Sequence, residues 1–188
     1  MEKKGSLSTK KIVVAALMAA LVAVGSALRI TLPLDIGGNT SFHLGNIFCA
    51  LSGILLGPWL GGTAAGLGSA IYDMMKPAYI AECWLTFLMK GAYGVASGLV
   101  ISIGKKNWGY VRAAVATFAG ALVYAALYLV KSYYKPILVQ GVTAEAAMLT
   151  VIGKIPATVF NAGVALVIAP VLAVSIRKAL EKNRLTLN

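Results

Sequence analysis

Long apolar segments, separated by short polar or glycine-containing breaks, are the feature that most constrains how this chain can fold. Six segments are candidates for membrane spans, and they run 12–32, 44–60, 61–75, 81–103, 111–134 and 149–176. A helix needs roughly 20 apolar residues to cross the hydrocarbon core, so the second and third segments are short. Gly57, Pro58 and Trp59 predict a tight turn between those two.

The composition supports a membrane protein and excludes several other classes. Hydrophobic residues make up 59% of the 188 residues and charged residues only 12%, whereas a soluble domain carries about 25% charged residues. A soluble enzyme, a disordered chain and a collagen-like fibre are therefore excluded. The apolar runs are too long for the alternating strands of an outer-membrane barrel. The predicted fold class is an all-α membrane protein with six transmembrane helices.

The distribution of basic residues predicts the orientation. Six spans place both termini on one side, and eleven of the seventeen Lys and Arg residues fall on that side. The positive-inside rule makes it the cytoplasmic side. We expect one transmembrane domain, 1–188, with a basic cytoplasmic N-terminus at 1–11 and a basic cytoplasmic tail at 177–188. Because the charges gather at helix ends, we expect the lipid bilayer as a partner and no nucleic acid.

The first predicted helix carries a face of small residues. Ala15, Ala19 and Ala23 are spaced four apart, and Ala16 and Ala20 lie beside them. Residues four apart share one face of a helix, and small residues on a face allow another helix to approach closely. Two interpretations stay open, namely packing inside this protein and docking of a partner helix.

The last three predicted helices carry polar or aromatic residues at a spacing that places them on one face of each helix. In the assigned topology all three stripes lie in the outer half, which indicates a polar pocket open to the outside. The alternative is that these residues pair with one another, Lys90 with Glu82, and Lys154 with Asp73 or Glu145. The stripes comprise Glu82, Thr86, Lys90, Tyr93, Tyr124, Tyr128, Lys131, Lys154, Thr158 and Asn161.

The segment between the first two spans is expected to be a loop that could cap the pocket. It contains Gly37, Gly38 and Asn39, which are typical turn residues, and Asp35 and His43 are its candidate ligand contacts. A solvated loop charge is the alternative for both.

The sequence carries no motif for catalysis or metal binding. There is no His-Glu-x-x-His and no P-loop, and the two cysteines, Cys49 and Cys83, lack metal-ligand spacing. We therefore expect no enzyme activity, no metal and no cofactor. Energy for transport would have to come from ions or from a partner.

Several short motifs together resemble the S component, the substrate-binding membrane subunit, of an energy-coupling factor (ECF) vitamin transporter. The resemblance covers most of the chain. The resemblance rests on the alanine face and on these residues: Leu44–Asn46, Leu55–Trp59, the Gly-Ser-Ala before Asp73, Thr86-Phe87, Lys90-Gly91, Lys154–Pro156 and Asn161. Asn46 stands where many relatives have Asp.

The resemblance implies a function and a set of partners. An S component captures a vitamin outside a prokaryotic cell and lies in the cytoplasmic membrane. It docks on a transmembrane T subunit, and two ATPase subunits supply the energy. Ala15, Ala19 and Ala23 would be the docking residues, and the S component would topple in the membrane to release its ligand inside.

The segment 43–100 most resembles the branch of the family for riboflavin, pyridoxine or hydroxymethylpyrimidine, which implies a small heteroaromatic vitamin or precursor as the ligand. Trp84 and three of the stripe tyrosines could stack on its ring. The lysines could instead attract the carboxylate of pantothenate or folate. A stand-alone channel or exporter and a membrane enzyme with an unrecognised site are the other hypotheses. The predicted substrate-binding set comprises the stripe residues with Trp84, His43, Asn46 and Asp73.

Overall fold

The structure, a computed structural model, describes residues 8–34, 38–103 and 108–183. In these ranges it consists of six helices and one two-stranded antiparallel hairpin, with a short 3-10 turn at Ile80–Glu82. The elements are α1 Thr9–Ala27, β1 Arg29–Leu34, β2 Gly38–His43, α2 Gly45–Leu56, α3 Pro58–Met74, α4 Cys83–Ser102, α5 Tyr110–Gln140 and α6 Ala144–Lys182.

The helical character predicted from the apolar segments is confirmed, but the helix lengths differ from the prediction. In the described part of the chain, four helical segments are long and apolar enough to span a membrane, and they are α1, α5, α6 and the segment Ile80–Ser102. The last two helices extend to 31 and 39 residues, beyond the predicted 111–134 and 149–176. The added ends carry polar residues that are mostly exposed, among them Gln140, Glu145 and Lys182. Hydropathy marks only the apolar part of each helix, whereas the helical backbone continues past it.

The shortest helix, α2, occupies the centre of the bundle. Ten of its twelve residues are buried, and it packs against α1, α3, α4, α5 and α6. Protein surrounds a helix in this position, so its length does not have to match the thickness of the bilayer.

Glycines allow the close packing around α2. A Cβ atom at Gly53 would collide with the backbone carbonyl of Gly94 on α4, so the two helix backbones touch directly. The predicted turn between α2 and α3 is confirmed at Gly57, whose φ of 80° lies in the region that L-residues avoid. Pro58 then begins α3, where its missing N–H costs nothing.

The hairpin is an element that the sequence reading missed. The first helix was predicted to run to residue 32, but it ends at Ala27, and the chain continues as β1 paired with β2. Ile30 and Thr31 are β-branched and favour a strand, and the residue before Pro33 is disfavoured in helical geometry. Hydropathy could not separate this strand from the helix, because Ile30 and Leu32 are also apolar. The predicted turn residue Gly37 and Asp35 lie outside the described residues.

We expect Gly53→Ala to lower the thermal stability of the purified protein, because the added methyl has no space between α2 and α4. Overpacking of this kind costs about 1–3 kcal/mol. The measurement is a thermal unfolding curve in detergent.

The matched control is Gly163→Ala on α6, where nothing lies within 4 Å of the added Cβ atom. This variant should unfold at the wild-type temperature or slightly above it, because alanine favours a helix more than glycine does. Equal melting temperatures for the two variants would contradict the close contact of α2 with α4.

Candidate functional site

A cavity of about 320 Å³ lies at the end of the bundle that carries the hairpin. Its walls come from the end of α1, the hairpin, α3, the 3-10 turn, α4, α5 and α6. The volume falls at the lower end of the range of roughly 300–1,000 Å³ found for small-molecule sites. The cavity is therefore large enough to take a small organic ligand.

Most of the predicted substrate-binding residues meet at this cavity. Asn46 and Tyr93 are buried next to residues of its wall, whereas the structure places Trp84 away from it, with 61% of its surface exposed. The predicted residues that line the wall are His43, Asp73, Glu82, Thr86, Lys90, Tyr124, Tyr128, Lys131, Lys154, Thr158 and Asn161. Eleven of the fourteen candidates therefore line one cavity, and nine of these eleven belong to the helical stripes.

Three tyrosines form a stacked series. The ring centroids of Tyr93 and Tyr124 are 6.1 Å apart, and those of Tyr124 and Tyr128 are 5.8 Å apart. The interplanar angles are 21° and 17°, so the three rings are close to parallel. Lys90 Nζ lies 4.1 Å from the Tyr124 centroid, and Lys154 Nζ lies 5.7 Å from the Tyr128 centroid. Tyr124 and Tyr128 give the cavity an aromatic wall with cations beside it.

The ion pairs differ from those considered in the sequence reading. Lys90 does not pair with Glu82, because the Glu82 carboxylate lies before α4 and binds Lys131 and Lys135 of α5. Lys90 Nζ instead donates a hydrogen bond to Asn46 Oδ1. Lys154 has no carboxylate within 4.0 Å among the described residues, so its considered pairing with Asp73 or Glu145 is also wrong.

Asn161 uses its side-chain amide to hold the hairpin. Its Oδ1 accepts a hydrogen bond from the backbone N–H of His43 at 2.9 Å, and its Nδ2 donates to the backbone carbonyl of Ser41 at 2.8 Å. Phe42 packs edge-on against Phe160, with centroids 5.0 Å apart. Asn161 therefore attaches β2 to α6 and holds the hairpin in place as a cover over the cavity.

His43 contributes a neutral ring to this cover. Burial, with Lys90 and Arg29 as nearby charges, holds the pKa of His43 well below its usual range. Its Nδ1 accepts a hydrogen bond from the backbone N–H of Gly45 at 3.2 Å, which leaves the proton on Nε2. The ring can therefore donate one hydrogen bond from Nε2 without adding charge.

Sequence reasoning missed two cations of the wall. Arg29 donates from Nε to the carbonyl of Ser26, and its guanidinium lies over the rings of Tyr72 and Tyr79, at 4.4 and 5.3 Å from their centroids. No sequence signal indicated this position, because it depends on the hairpin. Lys135 could have been found, because it follows Lys131 by one helical turn on the same face.

The alanine face of α1 is divided between the interior and the outer surface. Ala15, Ala19 and Ala23 are half-buried, and Ala16 and Ala20 are exposed. The backbone of Ala19 lies against Gly68 of α3. One side of the small-residue face therefore packs within the bundle, and the other side is uncovered.

A family model described as "ECF-type riboflavin transporter, S component" matches residues 6–178 of this chain. The chain belongs to this family. It is a multi-pass membrane protein of a transport family that is not enzymatic. The resemblance to S components predicted from the short motifs is confirmed.

Two other comparisons found similar proteins. The crystal structure of the S component for biotin from an ECF-type ABC transporter matches with a TM-score of 0.62 over 89% of this chain and 94% of that chain. At 12% identity this match shows the fold alone. An uncharacterized protein from the gap 3' region of Pyrococcus woesei is 33% identical over 106 residues, which is 56% of this chain and 66% of the relative. The matched part is thus just under two thirds of that relative.

We expect Asn161→Ala to loosen the hairpin without unfolding the bundle, because it removes both side-chain hydrogen bonds between α6 and β2. Each such bond contributes about 0.5–1.5 kcal/mol. The measurement is amide hydrogen exchange, which should become faster in peptides that cover 38–43.

Thr158→Val is the matched control, because the Thr158 hydroxyl bonds to the Lys154 carbonyl of its own helix. That variant should leave exchange in the hairpin at the wild-type rate. Unchanged exchange in Asn161→Ala would contradict the role of this amide as the attachment of the hairpin.

Proposed function

We propose that this S component captures riboflavin from outside the cell in the cavity described above. The observation that carries the proposal is the aromatic wall of Tyr124 and Tyr128, in a chain whose family model is that of riboflavin S components. Tyrosine faces stack on flat aromatic rings, and the isoalloxazine of riboflavin is such a ring system. The polar groups around this wall would bind the carbonyl and hydroxyl groups of the ligand.

The proposed topology follows from the charge distribution. Most Lys and Arg residues lie on the side of the chain termini, which makes that side cytoplasmic. All six helices would then form one transmembrane domain over 1–188. The hairpin end of the cavity would face the outside of a prokaryotic cell.

Delivery into the cell would require partners. The sequence carries no P-loop, so the energy would come from a T subunit and two ATPase subunits. We propose the alanine face of α1 as the docking surface. Its exposed members, Ala16 and Ala20, would admit a partner helix closely, and the half-buried Ala15, Ala19 and Ala23 would support that face.

An anionic vitamin, such as pantothenate or folate, is the second candidate ligand. Among the described residues, the cavity wall carries five cations, Arg29, Lys90, Lys131, Lys135 and Lys154, against the two carboxylates of Asp73 and Glu82. This excess of positive charge favours a ligand with a carboxylate.

We expect the purified chain to bind riboflavin at one-to-one stoichiometry, and Tyr124→Leu to weaken that binding by about tenfold, because it removes a stacking face. The measurement is quenching of riboflavin fluorescence on titration with protein in detergent. Competition by pantothenate and by folate is measured in the same assay.

Tyr134→Leu is the matched control, because Tyr134 is 55% exposed and is not part of the described cavity wall. Its affinity for riboflavin should equal that of the wild type. An absence of riboflavin binding, combined with binding of pantothenate or folate, would replace the first candidate by the second.

We expect Ala20→Trp to abolish riboflavin uptake in cells that contain the ATPase module, and to leave riboflavin binding unchanged. The indole would occupy the surface on which the partner helix packs, while the cavity lies elsewhere in the bundle. The measurements are uptake of labelled riboflavin and binding by the purified variant.

Leu122→Trp places the same side chain on an exposed position of α5 and should preserve uptake. Wild-type uptake by Ala20→Trp would contradict docking through this face. Riboflavin flux into liposomes that contain this chain alone would favour a stand-alone channel instead.

A further inference from the structure

The ammonium group of Lys90 is buried at the inner part of the cavity wall. Only 4% of the residue surface is exposed. Lys90 Nζ donates to Asn46 Oδ1 and lies 4.1 Å from the centroid of the Tyr124 ring. An ammonium has three N–H donors and no acceptor, so these two partners leave donor capacity toward the cavity.

The charge of Lys90 has no carboxylate partner within 4.0 Å in the described part of the chain. Glu82 is occupied by Lys131 and Lys135, and the side chain that touches the ammonium, Asn46, is neutral. A cation–π contact contributes about 2 kcal/mol or somewhat more when it is desolvated. Burying an unpaired charge costs more than this, so the pair of Asn46 and Tyr124 compensates Lys90 only in part.

A second group on the same wall has only a weak partner. The hydroxyl of Ser69 is buried, lines the cavity and lies beside the thiol of Cys49, which is a weak hydrogen-bonding group. The inner part of the cavity therefore presents a cation with spare donors and a weakly bonded hydroxyl. Such a site is complementary to a ligand edge that carries hydrogen-bond acceptors.

We propose that Lys90 is a specificity-determining residue that donates to an acceptor edge of the ligand ring, and that the neutral Asn46 keeps the ammonium available for it. This inference rests on the proposed function. The isoalloxazine ring of riboflavin carries acceptors of this kind, at its two carbonyl oxygens and at two ring nitrogens. A carboxylate in place of Asn46 would pair with Lys90 and compete with the ligand.

A purely structural role makes a different prediction. If Lys90 only joined α4 to α2, then Asn46→Asp would strengthen that link and leave the affinity for riboflavin unchanged. If Lys90 binds the ligand, the same substitution lowers the affinity while the fold is kept. The two roles are therefore separated by comparing affinity with thermal stability.

The experiment measures riboflavin affinity and the unfolding temperature for the wild type, Asn46→Asp and Lys90→Met. We expect Asn46→Asp to bind at least about tenfold more weakly, as for the loss of a hydrogen bond to a charged group, with an unfolding temperature no lower than that of the wild type. Lys90→Met should also lose at least about tenfold. Lys76→Met, which changes an exposed lysine outside the described cavity wall, should bind like the wild type.

A second measurement uses riboflavin analogues that each weaken one acceptor, namely the 2-thio, 4-thio, 1-deaza and 5-deaza compounds. We expect at least one analogue to bind more weakly than riboflavin to the wild type but not to Lys90→Met. Equal losses in both proteins for all four analogues would overturn the proposal. If the Asn46→Asp variant binds riboflavin as tightly as the wild type does, the role of Lys90 is overturned and the proposed function stands. If the wild-type protein does not bind riboflavin, the proposed function itself is overturned.

Discussion

A lysine ammonium inside an apolar helix bundle must be stabilised from within the protein, because neither lipid nor neighbouring apolar side chains can solvate it. In this chain the requirement falls on Lys90, and it is met in part by Asn46 from α2 and by the ring of Tyr124 from α5. Three helices must therefore meet at one depth. Asn46 can reach that depth because α2 lies in the centre of the bundle, and α2 fits there because Gly53 and Gly94 let its backbone touch α4. The position of Lys90 in the cavity wall thus depends on the close contact between α2 and α4.

Two elements cover the cavity, namely the hairpin and the turn before α4, and both are attached by side-chain contacts. The hairpin is attached to α6 through the amide of Asn161 and the contact of Phe42 with Phe160. The turn before α4 is attached to α5 through Glu82 and its two lysines. These links are a few side-chain contacts, whereas the helices share extensive buried surface. Elements with few buried contacts open at the lowest free energy, so the hairpin and the turn before α4 are the parts of the cavity wall that depend most on single side chains.

Helical periodicity predicted much of the site, because it places residues at a spacing of three or four on one face whichever helices surround them. The stripes on α4, α5 and α6 were therefore assigned without any knowledge of the packing. The partners of each charge could not be assigned in this way. Glu82 lies at the start of its stripe, but it sits on a 3-10 turn and faces α5 rather than Lys90. Trp84 has the right chemistry and faces outward, since its position two residues after Glu82 puts it on another face of the helix. Hydropathy did not reveal the hairpin, because the exposed residues Ile30 and Leu32 of β1 are as apolar as residues of a membrane span.

The order of residues along α5 relates the shape of the cavity to the ligand proposed for it. Tyr124 and Tyr128 come first, and Lys131 and Lys135 follow toward the hairpin end. At about 1.5 Å per residue, Tyr124 and Lys135 are separated by roughly 16 Å along the helix axis. The deeper part of the wall is thus aromatic, with Lys90 and Ser69 beside it, and the part near the covers is cationic. Such a gradient suits a ligand with a flat ring at one end and a flexible polar chain at the other. Riboflavin has this form, because its ribityl chain extends from the ring system, and the chain would lie among the lysines while the ring edge meets Lys90.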